Sequence, residues 1–412
     1  MKKGIRVAIT SLLIVCLALS ACHGKKENSE AASSSSNETS SSADPDVVEK
    51  LATTGEGAFS YIGGSRVYLS TVMPADMGGG SGELHVISAD KDGNTTDLGV
   101  IPSVFTLPVG IAKIDSDYYM FVTQSPTSDD SEESDEKEKV LIRVNPEKKE
   151  VEVIHYSDIV DWANLSPYES SAQSVGRKVV YLDGYITEEV TGKLLRTFLS
   201  VYDVDTGNWS REMECSITNV QTKGDVLFRM CSDGEKIYAL YDDVNGKNST
   251  TSLVVLDSDF KELQRIEIGE DMWDVCNRSR VWRMDVWKDL LFISYNSDEG
   301  QKIYIGKLEG DKISKVTELL NGSLVMDAQG SAPVLVQMDE NLINTISESG
   351  EIRTLKLQMD GVKESFISKL SLEGSTLYVN MYYEKDQGYG FADYLIHLDK
   401  IGDNTSEIVL PG

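Results

Sequence analysis

Beyond residue 47 the chain breaks into short runs of alternating apolar and polar residues, separated by clusters of Gly, Asp, Asn and Ser. One unit recurs: a tight turn followed by a run rich in Tyr and β-branched residues, at 63–69, 115–121, 175–182, 232–240, 287–293, 329–336 and 372–379. The alternation and the turn residues mark each copy as a β-strand entered from a hairpin. A strand precedes the turn, as in 57–61 and 226–230. A second hairpin follows, with strands beginning near Glu83, Lys139, Phe198, Thr251, Gln301, Glu340 and Asp393. Each unit therefore holds four antiparallel strands, a to d, and the units return about every 52 residues, a period that signals a radial or stacked array.

A lone four-stranded sheet leaves two apolar faces wet, whereas a ring of such sheets covers both and leaves only short edges. The pattern predicts an all-β, seven-bladed β-propeller, with six or eight blades as alternatives because the sixth unit is short. A solenoid is the competing arrangement, but it favours shorter periods and parallel strands. No substantial helix is predicted. Residues 315–320 fit either a helical turn or strand d of blade five, and 158–170 fit a short helical turn within a loop. Strand d of blade seven is read as ending at Ile408-Val409-Leu410, and whether 47–51 joins the last sheet to lock the ring is left open.

Ahead of this body the pattern changes. Lys2, Lys3 and Arg6 precede an apolar run, 7–19, too short to span a bilayer comfortably and followed by small residues. That is the form of a secretory signal rather than a structural helix. Its end, Leu19-Ser20-Ala21-Cys22, resembles the lipobox of bacterial lipoproteins. The resemblance implies cleavage before Cys22, a diacylglycerol with palmitate-class acyl chains on its sulfur, and residence on the extracytoplasmic face of the cell membrane. An ordinary signal peptide with a chance Cys is the other reading. Residues 23–46 are Ser-rich and acidic with no large apolar side chain, so they read as a disordered tether of on the order of 25–30 Å. Such a tether is similar to those of Gram-positive lipoproteins. The chain thus divides into a signal peptide (1–21), a lipidated Cys22 with its tether (22–46) and a propeller (47–412).

The formal charge is −28, or about −31 without Lys2, Lys3 and Arg6. A balance this acidic argues against nucleic acid and against a bare anionic membrane surface as partners. It fits cationic partners or simply a solvated exterior. Three cysteines remain in the body, Cys215, Cys231 and Cys276. Their spacing fits no zinc pattern, and an odd count leaves one unpaired. Buried, inert thiols are expected, with a Cys215–Cys231 disulfide as the alternative. His85, His155 and His397 fall on outer strands of three blades, which disfavours a Ser–His–Asp site. HExxH, GxSxG and phosphate-binding glycine loops are absent from the sequence. No cofactor, metal ligand or catalytic residue is assigned.

In a four-stranded meander the a–b and c–d turns fall on one face of the ring, and the b–c loops and d–a connections on the other. The long insertions are all of the second kind: 73–82, 124–139, 183–196 and 382–393, the last with Tyr383, Tyr389 and Phe391, together with connections carrying Trp162, Tyr168 and the stretch 272–282. Binding surfaces are usually loops on a rigid scaffold, so the functional surface is expected there, around the mouth of the central channel. Within it Trp273, Asp274, Arg278, Arg280 and Trp282 form the candidate ligand surface. Trp and Arg can stack a sugar ring or grip a carboxylate, or they can pack between blades and pair with nearby acids. The acidic run 129–136 reads either as a Ca²⁺ collector or as a solvated loop.

The repeats resemble those of bacterial propeller lipoproteins and, more distantly, WD40-like and quinoprotein-like repeats; residues 201–207 are similar to the quinoprotein type of hairpin. That match covers one blade and implies no cofactor. Two functions follow. The first is a surface-anchored binding or scaffold module for a protein or glycan, of which an accessory lipoprotein of a transporter or wall-assembly complex is a version. The second is an extracellular carbohydrate-active enzyme, a glycosidase or lyase, using inward-facing carboxylates, with Asp285 and Asp225 the nearest candidates.

Overall fold

The computed structural model of the chain describes residues 46–53, 60–72, 83–101, 104–106, 110–124, 139–155, 172–189, 192–218, 223–245, 248–327, 330–385 and 388–412. The signal segment, Cys22, the tether up to residue 45, the insertions at 73–82 and 125–138, and residues 156–171 with Trp162 and Tyr168 lie outside the described residues. The rest forms seven sheets that are the blades of a β-propeller. The inner strands a are Ser60–Ile62, Ala112–Ile114, Gln173–Val175, Lys223–Ser232, Val281–Trp287, Ser323–Val325 and Glu364–Glu373. Residues 315–320 lie within Lys312–Leu320, strand d of blade five. Among the described residues no helix is long and apolar enough to cross a membrane.

Tight a–b turns follow from their residues. Gly63 and Gly64 both sit at positive φ, 57° and 71°, which joins Ser60–Ile62 to Ser65–Val72 with the backbone twist that antiparallel strands require. Blade six is the exception, because its a–b connection runs from Met326 to Pro333.

Seven apolar clusters fill the seven joints between blades. Period-two alternation produces this directly: within Thr376–Lys385, Leu377, Val379 and Met381 pack toward blade six, while Tyr378 packs toward blade one. Each fully buried aliphatic side chain contributes roughly 1.5–3 kcal/mol. The joint between blades seven and one is the least apolar, with only Leu51, Tyr61, Tyr378 and Leu395 in its cluster.

Polar contacts complete that joint. Val48–Leu51 pairs antiparallel with Gly388–His397 and supplies the fourth strand of blade seven, so the chain's first strand closes the ring on its last blade. This corrects the assignment of strand d to Ile408-Val409-Leu410. Those residues lie in Glu407–Leu410, which adds in parallel to Ile352–Met359 as a fifth strand of blade six. The short connection 398–406 carries the chain back there, and Val48–Leu51 already occupies the edge of Gly388–His397. On the other side of that strand, facing blade six, Lys50 Nζ donates to the carbonyls of Pro411 and Gly412 beside Val48 and Leu410. Inside the seam between blades seven and one, Asp393 and Arg66 are fully buried and paired at 2.7 Å. Asp393 also accepts from Tyr378 Oη at 2.8 Å and Asn380 Nδ2 at 2.7 Å. The rings of Tyr61 and Tyr378 stack across it.

Two insertions differ from expectation. Residues 183–196 and 382–393 are not loops but the outer reaches of long b–c hairpins, Lys178–Glu189 with Gly192–Asp203 and Thr376–Lys385 with Gly388–His397. Their β-branched and aromatic residues keep the ladder paired to within two residues of the turn.

Candidate functional site

Among the described residues a cavity of about 640 Å³ occupies the central channel, lined by strands a and the a–b turns. The expectation that the long connections gather around a channel mouth falls largely on residues outside the described ones, among them 73–82, 125–138 and 156–171. The wall includes Lys113, Tyr118, Arg283, Asp285, Asp327 and Glu373. Strand a places Asp285 there, as its position before Trp287 suggested. Asp225 is not in that wall; it accepts a hydrogen bond from Tyr241 Oη.

Three of the channel carboxylates are already committed. Asp285 Oδ2 accepts from Arg283 Nε at 2.6 Å, and Arg283 also donates to the Leu324 carbonyl of the next blade. Burial raises the Asp285 carboxyl against the opposing pull of the Arg283 guanidinium. Asp327 accepts from Ser331 Oγ and from the Gly374 amide of blade seven. Glu373 accepts from the amides of Gly63 and Gly64 in blade one and from Tyr118 Oη in blade two. Burial and that bond both raise the Tyr118 phenol. Asp327, Glu373 and Tyr118 were not singled out in the sequence, because the residue flanking a hairpin turn gives no sign that it will reach across a blade boundary. Lys113 Nζ lies 5.0 Å from the Tyr118 ring centroid.

On the opposite face, the connection from blade four to blade five is a compact loop. A 3-10 turn at Glu270–Met272 leads into it. Met272, Val275 and Cys276 are buried in the joint between the two blades. The amides of Arg280 and Val281 both donate to the Asn277 carbonyl, and Ser279 is held by Asn277 Oδ1. This fixes the loop and turns Trp273, Asp274 and Arg278 into solvent, Trp273 being 43% exposed. Arg280 bridges Asp274 at 3.8 Å and Asp298 at 3.5 Å. Buried Asp242 lies below Arg278; burial raises its carboxyl while Thr251 Oγ1 and Arg278 oppose that rise. Trp282 is half-buried, with its indole N–H enclosed and unpartnered, so it is less open to a partner than Trp273.

The outer strands hold the histidines: His85 pairs with Asp97 at 2.6 Å, and His397 lies 3.4 Å from Thr376 Oγ1. Cys215, Cys231 and Cys276 are buried and unpaired, and burial pushes the Cys215 and Cys276 thiols up to about 12. Among the described residues no three His, Cys, Asp or Glu side chains gather as a metal ion needs. In blade seven, Tyr383 lies against Gly390, where an added Cβ would come within 2.6 Å of its ring. Tyr389 and Phe391 project on the other side of the sheet.

No family model and no curated protein matches the chain. Among solved structures it is similar to an acylaminoacyl peptidase from Pyrococcus horikoshii, with 11% identity and a TM-score of 0.39 over 69% of this chain and 45% of that one. It is similar to the β-propeller domain of a trilobed protease from Pyrococcus furiosus, with 11% identity and a TM-score of 0.39 over 68% of this chain and 83% of that one. A protein from Lactobacillus plantarum gives 8% identity and a TM-score of 0.42 over 83% and 97%. The chain spans less than half the length of the peptidase. At these values the likenesses carry no argument about activity, and the fold rests on the sheets themselves.

Proposed function

We propose that this protein is a lipid-anchored, extracytoplasmic lipoprotein whose propeller is a binding or scaffold module. It takes a protein or glycan partner on the face built from b–c hairpins and d–a connections. Leu19-Ser20-Ala21-Cys22 behind its apolar run supports the anchor, and the Ser-rich stretch after it supports a tether. One observation carries the binding reading. The channel acids Asp285, Asp327 and Glu373 are tied up in bonds, most of them between blades, whereas Trp273 and Arg278 stand in water on a loop pinned by Met272, Val275 and Cys276. An exposed Trp beside Arg on a fixed loop is the composition of an interaction hot spot. A carbohydrate-active enzyme is the second reading, favoured by Asp285, a buried acid in the channel wall with its carboxyl raised as a general acid requires.

The test is made on cells. An acyl-chain analogue should label the full chain, and Cys22→Ala should abolish the label and release the protein. A photocrosslinker at position 273 should yield a discrete adduct that Arg278→Ala removes, while one at position 288, on the turn face, should not. Equal adducts from both positions contradict the binding face. Glycan cleavage that Asp285→Asn abolishes would establish the enzyme reading instead.

A further inference from the structure

The blade-one side of the seventh sheet continues past the closing seam toward the b–c hairpin. Register places two further rungs of side chains there: Phe366, Tyr382 and Phe391, then Glu364, Glu384 and Tyr389. Among the described residues, none of blade one covers them. Phe366 is 44% exposed and Tyr389 69%. The rings are ordered on one another: Tyr389 stacks on Tyr382 with centroids 5.4 Å apart and planes 15° apart, and Phe391 meets Tyr382 edge-on at 5.4 Å. Two of the exposed large apolar side chains of the described residues thus fall on one ledge, where their exposure has a cost that an isolated surface residue does not.

The spacing along the ledge is fixed by the sheet. Strands lie about 4.8 Å apart and same-side residues about 7 Å apart along a strand, the scale of one or two pyranose rings. The flat C–H face of a sugar stacks on such rings. The charged rung adds a sign. Glu384 is held by Lys363 at 3.2 Å, and Glu364 is exposed beside it, so this outermost rung sets two carboxylates against one ammonium, with Lys369 two rungs away toward the seam. Anionic polysaccharides are repelled there. A protonated amino group is attracted both by the carboxylates and by the tyrosine ring face.

We infer that this ledge binds an oligosaccharide of amino sugars bearing free ammonium groups. The inference rests on the binding reading above and names a ligand class for the same face. The test titrates the purified full chain with glucosamine hexamer, N-acetylglucosamine hexamer, hexagalacturonate and hexalysine. Glucosamine hexamer should bind most tightly. Tyr389→Ala should weaken it about tenfold, and Glu384→Gln should weaken it about threefold and flatten its salt dependence. Both variants should keep the parent's unfolding midpoint. Absence of glucosamine binding, binding indifferent to Tyr389→Ala, or equal affinity for hexalysine would each overturn the inference. If glucosamine fails while the position-273 crosslink persists and depends on Arg278, only the ledge falls. If both fail, the binding reading falls with it.

Discussion

On the side of the seventh blade that faces the first, the half near the tight turns and the half near the b–c hairpin are built from the same three strands and put polar and aromatic groups to opposite uses. In the turn half, Tyr378, Asn380 and Asp393 are sealed under blade one and hold Arg66. In the hairpin half, Tyr382 and Tyr389 stack, and Tyr389 and Phe366 stand largely in water. A buried ion pair contributes little net stability over an apolar substitute, but it fixes register once made. The other six joints of the ring are filled by larger apolar clusters. At the seventh, Val48–Leu51 must find a partner more than 300 residues away, and directional groups are the means of fixing it. The contrast teaches that aromatic and charged residues on one sheet side serve closure where a neighbouring blade covers them and are free for a partner where it does not.

Breaking the closure should give the largest effect. Deleting 364–412 removes blade seven and the fifth strand of blade six, and should abolish cooperative unfolding by circular dichroism; a stacked solenoid would retain it. Replacing the buried pair by an apolar one, Arg66→Met with Asp393→Leu, should cost far less than removing Asp393 alone, because no charge is left stranded. Glu373→Gln weakens the bonds to Gly63, Gly64 and Tyr118 and should cost about 1–3 kcal/mol in urea unfolding.

An ion cluster away from any closure gives the smallest effect and serves as a reference. Glu318, on the outer strand of blade five, feels burial that alone would raise its carboxyl. Bonds from Lys315, Tyr295 and Lys302 outweigh it and hold the group at about 2 instead of 4.5. A carboxyl lowered on folding stabilises above its unfolded value, and that contribution fades as pH falls from 4.5 toward 2. Glu318→Gln should flatten the acid slope of the unfolding midpoint in that window and leave stability at pH 7 within about 1 kcal/mol.

Much of the fold is legible in the residues. Turn chemistry at Gly63-Gly64 and Lys288-Asp289 and period-two alternation are local signals, and they suffice for seven blades and for the outer placement of His85, His155 and His397. Ring closure is not local. Val48–Leu51 is four residues long and unremarkable until paired with Asp393–Ile396, and Arg66 and Asp393 gain meaning only when 327 positions are brought together. The hairpin extensions at 183–196 and 382–393 were hidden because Gly, Asp and Glu interrupt runs that cross-strand partners nevertheless keep extended. Of the candidate site, the outward setting of Trp273, Asp274 and Arg278 follows from the apolar spacing of Met272, Val275 and Cys276. Tyr389 and Phe391 were visible as aromatics, but Phe366 and Tyr382 join them only through register.

The most direct test sets two variants side by side in urea unfolding of the full chain at pH 7. Asp393→Ala, in the covered half, should lose about 3–5 kcal/mol, and Tyr389→Ala, in the open half, should stay within about 0.5 kcal/mol of the parent. Equal losses, or an Asp393→Ala variant as stable as the parent, would contradict the division of this sheet side into a clasp and a binding ledge.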